Sequence, residues 1–235
     1  MTAEQLQASF KCSWIDEHCI KKCILPEIKA IANNPEYDCT WPKDEGSIFQ
    51  AFSIIDRFPR LVIMGQDPYP NKFATGIAFE VSRDGNTKTR KALKALSKSL
   101  EIAEGWFDIK KWAKDNAILL VNAALSYSSQ SDLIKKQYRV WRSFWGVIIR
   151  ILMNSNSITV LSLGRESEKL FKDYKQQLGR RFFYSPHPSD RHGGFNMTKS
   201  GWKEIQRLAS INLPISSTDD IRPYFRSDVQ EGVMI

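Results

Sequence analysis

Four apolar runs, each followed by polar and turn-forming residues, constrain the fold of this 235-residue chain more than any other feature. Segments with helical periodicity separate the runs. Strands that alternate with helices indicate a parallel sheet covered by helices. We therefore expect an α/β fold with a central four-stranded parallel sheet flanked by helices. The runs are RLVIMGQDPYP at residues 60–70, AILLVNAALS at 117–126, SITVLSLG at 157–164 and RRFFYSPHPSD at 180–190.

The intervening segments predict the helices and the domain organisation. The length fits one domain over residues 1–235, with a helical N-terminal region at 1–40. We predict no regular secondary structure for the polar tail from about residue 213 to 235. The predicted helical segments are residues 4–33, with Pro26 marking a break or a new start, a short helix over Ser47–Ile55, and residues 88–102, 135–154 and 165–177.

Charge and hydropathy bear on partners and location. The formal net charge of +8 favours a polyanionic partner, because Lys and Arg side chains on phosphates release counterions. No stretch approaches the roughly 18 apolar residues of a membrane span, so we expect no membrane partner. The first residues, MTAEQLQASFKC, have neither a basic n-region nor an apolar h-region. We therefore expect an intracellular protein with reduced thiols.

The four cysteines lie near the N-terminus and lack the C-x2-C spacing of a zinc site. Cys12, Cys19 and Cys23 are seven and four residues apart, which would place them on one face of a helix. A stripe of small buried side chains is the favoured interpretation. An iron–sulfur or zinc site that includes His18 is the alternative. We expect no metal and no cofactor.

Polar residues follow three of the apolar runs at the point where each strand should end. Open parallel sheets place their sites beyond the carboxyl ends of the strands. The first run ends in GQDPYP at residues 65–70, the second reaches Asn122, and the fourth leads to His187 in HPSDR. These are the candidate functional residues.

The same segments resemble motifs of the family 1 uracil-DNA glycosylases. GQDPYP resembles the water-activating motif of that family, which usually reads GQDPYH, and LLVNAALS resembles its uracil-reading strand. HPSDRHGGF is similar to its DNA-insertion loop, and GIAFEV at residues 76–81 is similar to its GLAFSV segment. The similarity runs in the family's order from about Trp14 to Trp202.

This resemblance implies a monofunctional uracil-DNA glycosylase. Such an enzyme flips uracil out of single- or double-stranded DNA, hydrolyses the N-glycosidic bond with water and so starts base excision repair. The carried-over catalytic residues are Asp67, which would stabilise the sugar cation and position the water, and His187, which would hydrogen-bond uracil O2. Stabilisation of transition-state charge by such fixed groups is often the largest contribution to catalysis.

The resemblance also implies a uracil-binding set. The amide of Asn122 would pair with the O4 and N3–H edge of uracil, and Phe79 would stack on the flipped base. Tyr69 would crowd C5 and exclude the methyl group of thymine, while Gln66 would contribute backbone contacts.

Two departures from the family pattern bear on DNA binding. Pro70 replaces the usual His, and Arg191 replaces the Leu that fills the gap left by the base; both are similar to the poxvirus members. Ser189 is expected to contact a phosphate. Thr87 and Lys88 begin a basic stretch that either grips phosphate or forms a solvated helix face.

Two other functions remain open from the sequence. One is a DNA-binding replication or processivity accessory protein on the same fold, and the other is a glycosylase with altered base preference. The expected partner is uracil-containing DNA, with a proteinaceous glycosylase inhibitor or a replication factor as a further candidate. We expect a monomer, located in the cytoplasm if bacterial, or at sites of DNA replication if viral or eukaryotic.

Overall fold

The computed structural model describes residues 2–70, 72–82, 91–102, 107–189 and 194–213. Its strands are β1 (Leu61–Gly65), β2 (Ile118–Asn122), β3 (Thr159–Leu163) and β4 (Phe182–Ser185). They form one parallel sheet in the order β2-β1-β3-β4. Each strand lies inside one of the four predicted apolar runs, so the expected α/β fold is confirmed.

Helices flank the sheet. Within the described residues the α-helices are α1 (Ala3–Ser9), α2 (Glu17–Cys19), α3 (Leu25–Ala32), α4 (Gln50–Ser53), α5 (Lys91–Ser99), α6 (Ile109–Asn116), α7 (Lys136–Val140), α8 (Arg142–Met153), α9 (Arg165–Leu170), α10 (Lys175–Leu178) and α11 (Lys199–Ala209). A π-helical turn spans Ile20–Ile24, and 3-10 turns span Glu45–Ser47, Lys172–Tyr174 and Gly179–Arg181.

The N-terminal region is less continuous than predicted. A reciprocal cap between Thr2 and Gln5 starts α1, but residues 10–16 are not helical. Pro26 lies in the first turn of α3, where its missing N–H costs nothing, so a helix does start there. The predicted helix over residues 135–154 is divided into α7 and α8 at Trp141.

The cysteines do not form the predicted stripe. Cys12 lies in the non-helical segment between α1 and α2, and Cys23 is exposed. Only Cys19 and Cys23 share a helical segment, so the interpretation of one buried helix face is wrong. Among the described residues, no group of three or more His, Cys, Asp or Glu side chains could hold a metal ion.

Strand burial follows position in the sheet. Every residue of β1, β2 and β3 is buried, which matches their continuous apolar sequences. The edge strand β4 is only partly buried, and its Tyr184 is exposed. The register pairs Gly65, the last residue of β1, with Asn122, the last residue of β2. Polar segments that follow these strands therefore leave the sheet at the same edge.

An aromatic core fixes the segment after β2. Phe144 of α8 packs against Phe52 of α4, with ring centroids 5.8 Å apart. From the same helix the Trp145 indole donates to the carbonyl of Ala123 at 2.9 Å. Trp141 donates to the hydroxyl of Ser126 at 2.8 Å. Because these buried indoles have partners, they hold the backbone just beyond Asn122 against the core.

In the described part of the chain, every helix is too short or too polar to cross a membrane.

Candidate active site

A pocket of about 450 Å³ opens at the carboxyl edge of the sheet. It unites side chains from the segments after β1, β2 and β4, together with the start of α5. Six of the predicted site residues line it: Asp67, Tyr69, Phe79, Asn122, His187 and Ser189. The other lining residues are Pro68, Pro70, Ala74, Thr75, Gly76, Ile77, Glu80, Lys91 and Ala92.

One wall of the pocket is built on the β1–β2 pair. Gly65 lies beside the side chains of Asn122 and Phe79. A Cβ at this position would come within 2.5 Å of Asn122 Oδ1 and 3.0 Å of Phe79 Cζ. A glycine within a strand often marks such a close approach. The missing side chain is therefore what allows the amide and the ring to sit side by side.

Asn122 is a buried residue, with 6% of its surface exposed, and it lines the pocket. Within the described residues, its side-chain amide makes no hydrogen bond. The donor and the acceptor of this amide are therefore open to the pocket. A ligand with a complementary acceptor and donor edge could pair with both.

Two rings, those of Phe79 and His187, also line the pocket. Phe79 is 4% exposed and adopts a φ of +67°, a left-handed conformation that bulky residues rarely take. The backbone next to it is tied to β2, since the Ala78 N–H donates to the carbonyl of Leu120 at 3.2 Å. The centroids of the Phe79 and His187 rings are 6.0 Å apart, with 31° between their planes. Strain held at such a position is typical of functional sites.

The hydrogen bonds of His187 assign its tautomer. The backbone N–H of Ser189 donates to His187 Nδ1 at 3.3 Å, and the Ser189 hydroxyl lies 2.8 Å from the same nitrogen. Nδ1 therefore acts as an acceptor, and a neutral ring carries its proton on Nε2. The Nε2 side of the ring is therefore the hydrogen-bond donor of His187.

The carboxylate of Asp67 accepts a hydrogen bond from a residue that lies far from it in the sequence. The hydroxyl of Tyr138, on α7, donates to Asp67 Oδ2 at 2.9 Å. This contact joins two segments that are 71 residues apart. One carboxylate oxygen is thereby fixed by a donor from α7, and the residue also lines the pocket.

Burial and hydrogen bonding act in opposite directions on this pair. Burial raises the pKa of the Asp67 carboxyl above its ordinary value, and the hydrogen bond from Tyr138 lowers it by a smaller amount. The pKa of the Tyr138 hydroxyl is itself strongly raised, first by burial and then by the Asp67 carboxylate, with smaller contributions from Glu166 and Tyr127. Tyr138 therefore keeps its proton and serves as a donor.

Some predicted residues lie elsewhere. Gln66 is not part of the pocket lining; its carbonyl accepts from the Ala124 N–H at 2.9 Å, and its side chain lies against Gly164. Pro70 is exposed at the pocket rim. Thr87, Lys88 and Arg191 lie outside the described residues.

Two residues of the site were not predicted. Gly65 carried a usable signal, because a glycine that ends a buried strand indicates close packing. Tyr138 carried none, since its contact with Asp67 depends on how α7 packs in three dimensions. Nothing in the local pattern of residues 135–140 distinguishes this tyrosine from an ordinary half-buried aromatic.

The fold and the pocket together define a class of protein. A half-buried carboxylate, an imidazole N–H, an unpaired amide and an aromatic ring surround a space that fits a flat ring with hydrogen-bonding edges. Such a set can read a base by its edge, stack on its face and support charge that develops on either side of a bond. These are features that an α/β enzyme site for a nucleobase-like group needs.

Comparison with curated proteins narrows this class. The chain is 27% identical to the uracil-DNA glycosylase of Ureaplasma parvum serovar 3 (strain ATCC 700970) over 176 residues, 72% of this chain and 80% of that protein. It is 29% identical to the uracil-DNA glycosylase of Borrelia duttonii (strain Ly) over 176 residues, 70% of this chain and 76% of that one. No protein-family model matches the chain. These similarities support a uracil-DNA glycosylase family.

Proposed function

We propose that this chain is a uracil-DNA glycosylase that hydrolyses the bond between uracil and deoxyribose in DNA. The observation that carries the proposal is the side chain of Asn122, which lines the same pocket as Asp67 and His187 and makes no hydrogen bond within the described residues. The similarity to curated uracil-DNA glycosylases supports the same reaction. The motifs after β1, β2 and β4 further support the family 1 type.

Base selection follows from the hydrogen-bonding pattern of an amide. The Asn122 side chain presents one donor and one acceptor, which match O4 and N3–H of uracil. Cytosine reverses this pattern and would leave buried groups unpaired, which is the strongest form of rejection available to a pocket. Phe79 stacks on the face of the base, and Tyr69 occupies the space that the methyl group of thymine would need.

The chemistry divides between the two ends of the scissile bond. As the N1–C1′ bond breaks, positive charge grows on the sugar and negative charge on uracil. The Asp67 carboxylate stabilises the sugar and accepts a proton from the water that attacks C1′. The Nε2–H of His187 donates to uracil O2 and stabilises the departing anion. The products are free uracil and an abasic site.

Tyr138 positions Asp67 in this scheme. Its hydrogen bond at 2.9 Å fixes the orientation of the carboxylate and favours the ionised form, against the effect of burial. Pro70 stands at the motif position that is usually His, so no imidazole is available next to Asp67 in the loop. The hydroxyl of Tyr138 supplies a fixed donor from α7 instead.

The finer assignments concern DNA. The target base is buried in a duplex and must be extruded, which costs a few kcal/mol. We propose that Arg191 fills the gap, since a guanidinium can stack on neighbouring bases, and that Ser189, Thr87 and Lys88 contact phosphates. Both single- and double-stranded DNA are proposed substrates of a monomeric single domain.

A base-selection experiment tests the proposal. Matched oligonucleotides that differ only in one base, uracil, cytosine or thymine, are incubated with wild type and with Asn122→Asp, and the released base is quantified. Wild type is expected to release uracil alone. Asn122→Asp should lose uracil activity and discriminate less between uracil and cytosine, because an ionised carboxylate only accepts hydrogen bonds and cannot donate to uracil O4. Unaltered selectivity would remove Asn122 from the base-reading role.

A further inference from the structure

A second cavity, of about 560 Å³, lies beside the base pocket. It is a groove between α7, the start of α8 and α9, and we call it the basic groove. Its lining residues are Ala123, Lys135, Lys136, Tyr138, Arg139, Arg142, Glu166, Lys169, Leu170 and Lys172. Six of these carry a positive charge and one a negative charge, so the basic groove has a large surplus of positive charge.

Part of this charge is already paired. Glu36, beside the groove, is 3.6 Å from Lys136 and 3.1 Å from Arg139. Glu166, in the groove, is 2.6 Å from Lys169. These pairs are at least partly exposed and therefore weak, so a stronger anion could replace either carboxylate.

Three cations in the basic groove are unpaired. Lys135, Arg142 and Lys172 are exposed, and no carboxylate within the described ranges pairs with them. Placing like charges around one concave surface is unfavourable unless an anion occupies it. The surplus therefore indicates a polyanionic ligand.

The basic groove begins one side chain away from the proposed catalytic carboxylate. Tyr138 lines the groove, while its hydroxyl donates to Asp67 in the base pocket. Ala123, which also lines the groove, follows Asn122 directly in the chain. A nucleotide with its base against Asn122 and its sugar near Asp67 would have the adjoining backbone close to Tyr138. The groove thus lies on the sugar side of the pocket.

We propose that the basic groove binds the phosphates of the uracil-bearing strand on one side of the extruded nucleotide. This inference rests on the proposed function. Tyr138 is the single aromatic residue in the lining, so the groove offers charge without the row of rings on which bases stack. Its ligand is therefore the backbone, and its contribution is independent of sequence.

A matched pair of triple variants tests this proposal. The groove variant is Lys135→Gln/Arg142→Gln/Lys172→Gln. The control variant, Lys110→Gln/Lys114→Gln/Arg150→Gln, likewise replaces two lysines and one arginine and so removes the same number of positive charges. Its residues lie on α6 and in the last turn of α8, which lead into the amino ends of β2 and β3, at the opposite edge of the sheet. All six positions are exposed, so neither variant disturbs the core.

Uracil release is measured on single strands with a long flank of about ten nucleotides on one side only, in both orientations, between about 0.05 and 0.2 M salt. For one orientation, the groove variant should lose roughly tenfold in kcat/KM through a higher KM. The plot of log kcat/KM against log salt concentration should become less steep by about 2 in the groove variant, since each single-strand phosphate contact contributes about 0.7 to this slope. In the control variant, the ratio of kcat/KM between the two flank orientations should equal that of wild type.

Two outcomes would overturn the inference. One is a groove variant that behaves like the control variant, and the other is a loss that does not depend on the flank. Direct binding of the same strands by fluorescence anisotropy separates this inference from the proposed function. If wild type releases no uracil, the proposed function fails, while a reduced salt slope of binding in the groove variant alone would still support the groove.

Discussion

The two sides of the base pocket are held in different ways. The base-reading wall, formed by Gly65, Asn122 and Phe79, is fixed by the sheet: Gly65 and Asn122 are register partners, and the backbone of Ala78 bonds to β2. The water-activating corner, formed by Asp67 and Tyr138, depends on one side-chain hydrogen bond from a helix. Backbone contacts fix the wall, and a tertiary contact fixes the corner.

Because the two sides are held differently, substitutions in the base-reading wall and in the water-activating corner should affect different properties of the enzyme. The wall cannot adjust without moving strands, so changes there should alter which base is accepted and how well it fits. The corner can lose its hydrogen bond and keep its fold, so changes there should alter rate and pH dependence. Four substitutions test this separation: three are ordered by the expected loss of turnover, and the last concerns selectivity.

Asp67→Asn should have the largest effect on turnover. We expect kcat to fall by roughly a hundredfold to a thousandfold, because a neutral amide neither stabilises the sugar cation nor accepts the proton of water. Binding of uracil-containing DNA should remain near wild type, since the amide oxygen still accepts from Tyr138. Single-turnover kinetics and anisotropy measure the two quantities. Equal turnover in the two proteins would contradict the role given to Asp67.

The same variant makes a prediction about stability. Burial raises the pKa of Asp67 in the folded state, so the unfolded chain loses this proton at lower pH, and ionisation destabilises the wild type as the pH rises. Asp67→Asn should therefore have a higher Tm than wild type at neutral pH. The difference should shrink as the pH falls through the folded-state pKa. A Tm difference that is constant with pH would show that charge burial is not its cause.

Gly65→Ala should damage the wall. The new Cβ would lie 2.5 Å from Asn122 Oδ1 and 3.0 Å from Phe79 Cζ, so both groups must move. A displacement of about 1 Å can cost roughly a hundredfold in kcat/KM. Gly146→Ala in α8 is the matched control, because a Cβ there meets nothing within 4 Å. The control should keep full activity and gain about 0.5–1 kcal/mol of stability. If Gly65→Ala and Gly146→Ala had similar activities, close packing of Gly65 against Asn122 and Phe79 would not matter for catalysis.

Much of this arrangement follows from local sequence. The four strands were predicted because parallel strands buried on both faces need continuous apolar runs. Asp67, Asn122 and His187 were found because the segments that follow such strands meet at one edge. Helices α6 and α11 were not predicted although both carry local signals, since Asp108 and Thr198 cap their first turns and each helix buries one apolar face. Tyr138 could not be found in this way, because only tertiary packing brings it to Asp67.

Tyr138→Phe should have a moderate effect, confined to the corner. Loss of a hydrogen bond to a charged group costs about 1.5–3 kcal/mol, so kcat should fall roughly tenfold or more, with KM unchanged. The pKa of Asp67 should rise further, since the hydrogen bond from Tyr138 is the larger of the two hydrogen bonds that oppose burial. The acid limb of the kcat profile should therefore shift to higher pH. Tyr184→Phe, at an exposed position on β4, is the control. An unshifted limb would exclude Tyr138 as a positioning residue.

Asn122→Asp should change selectivity more than any substitution at the corner. A ratio of uracil to cytosine release that falls in this variant, but stays constant in Tyr138→Phe, would support the separation of the two sides. A change in selectivity caused by Tyr138→Phe would break it, because the corner would then contribute to base reading. Product analysis on the matched oligonucleotides measures both ratios in one experiment.

Release of free uracil from a labelled oligonucleotide with a single uracil, in the presence of EDTA, decides whether this chain is a glycosylase when wild type and Asp67→Asn are compared. Wild type should release uracil and leave an abasic site, whereas Asp67→Asn should bind the same strand but release almost none. Tight binding by wild type without release would exclude the glycosylase function and favour a DNA-binding accessory protein on this fold.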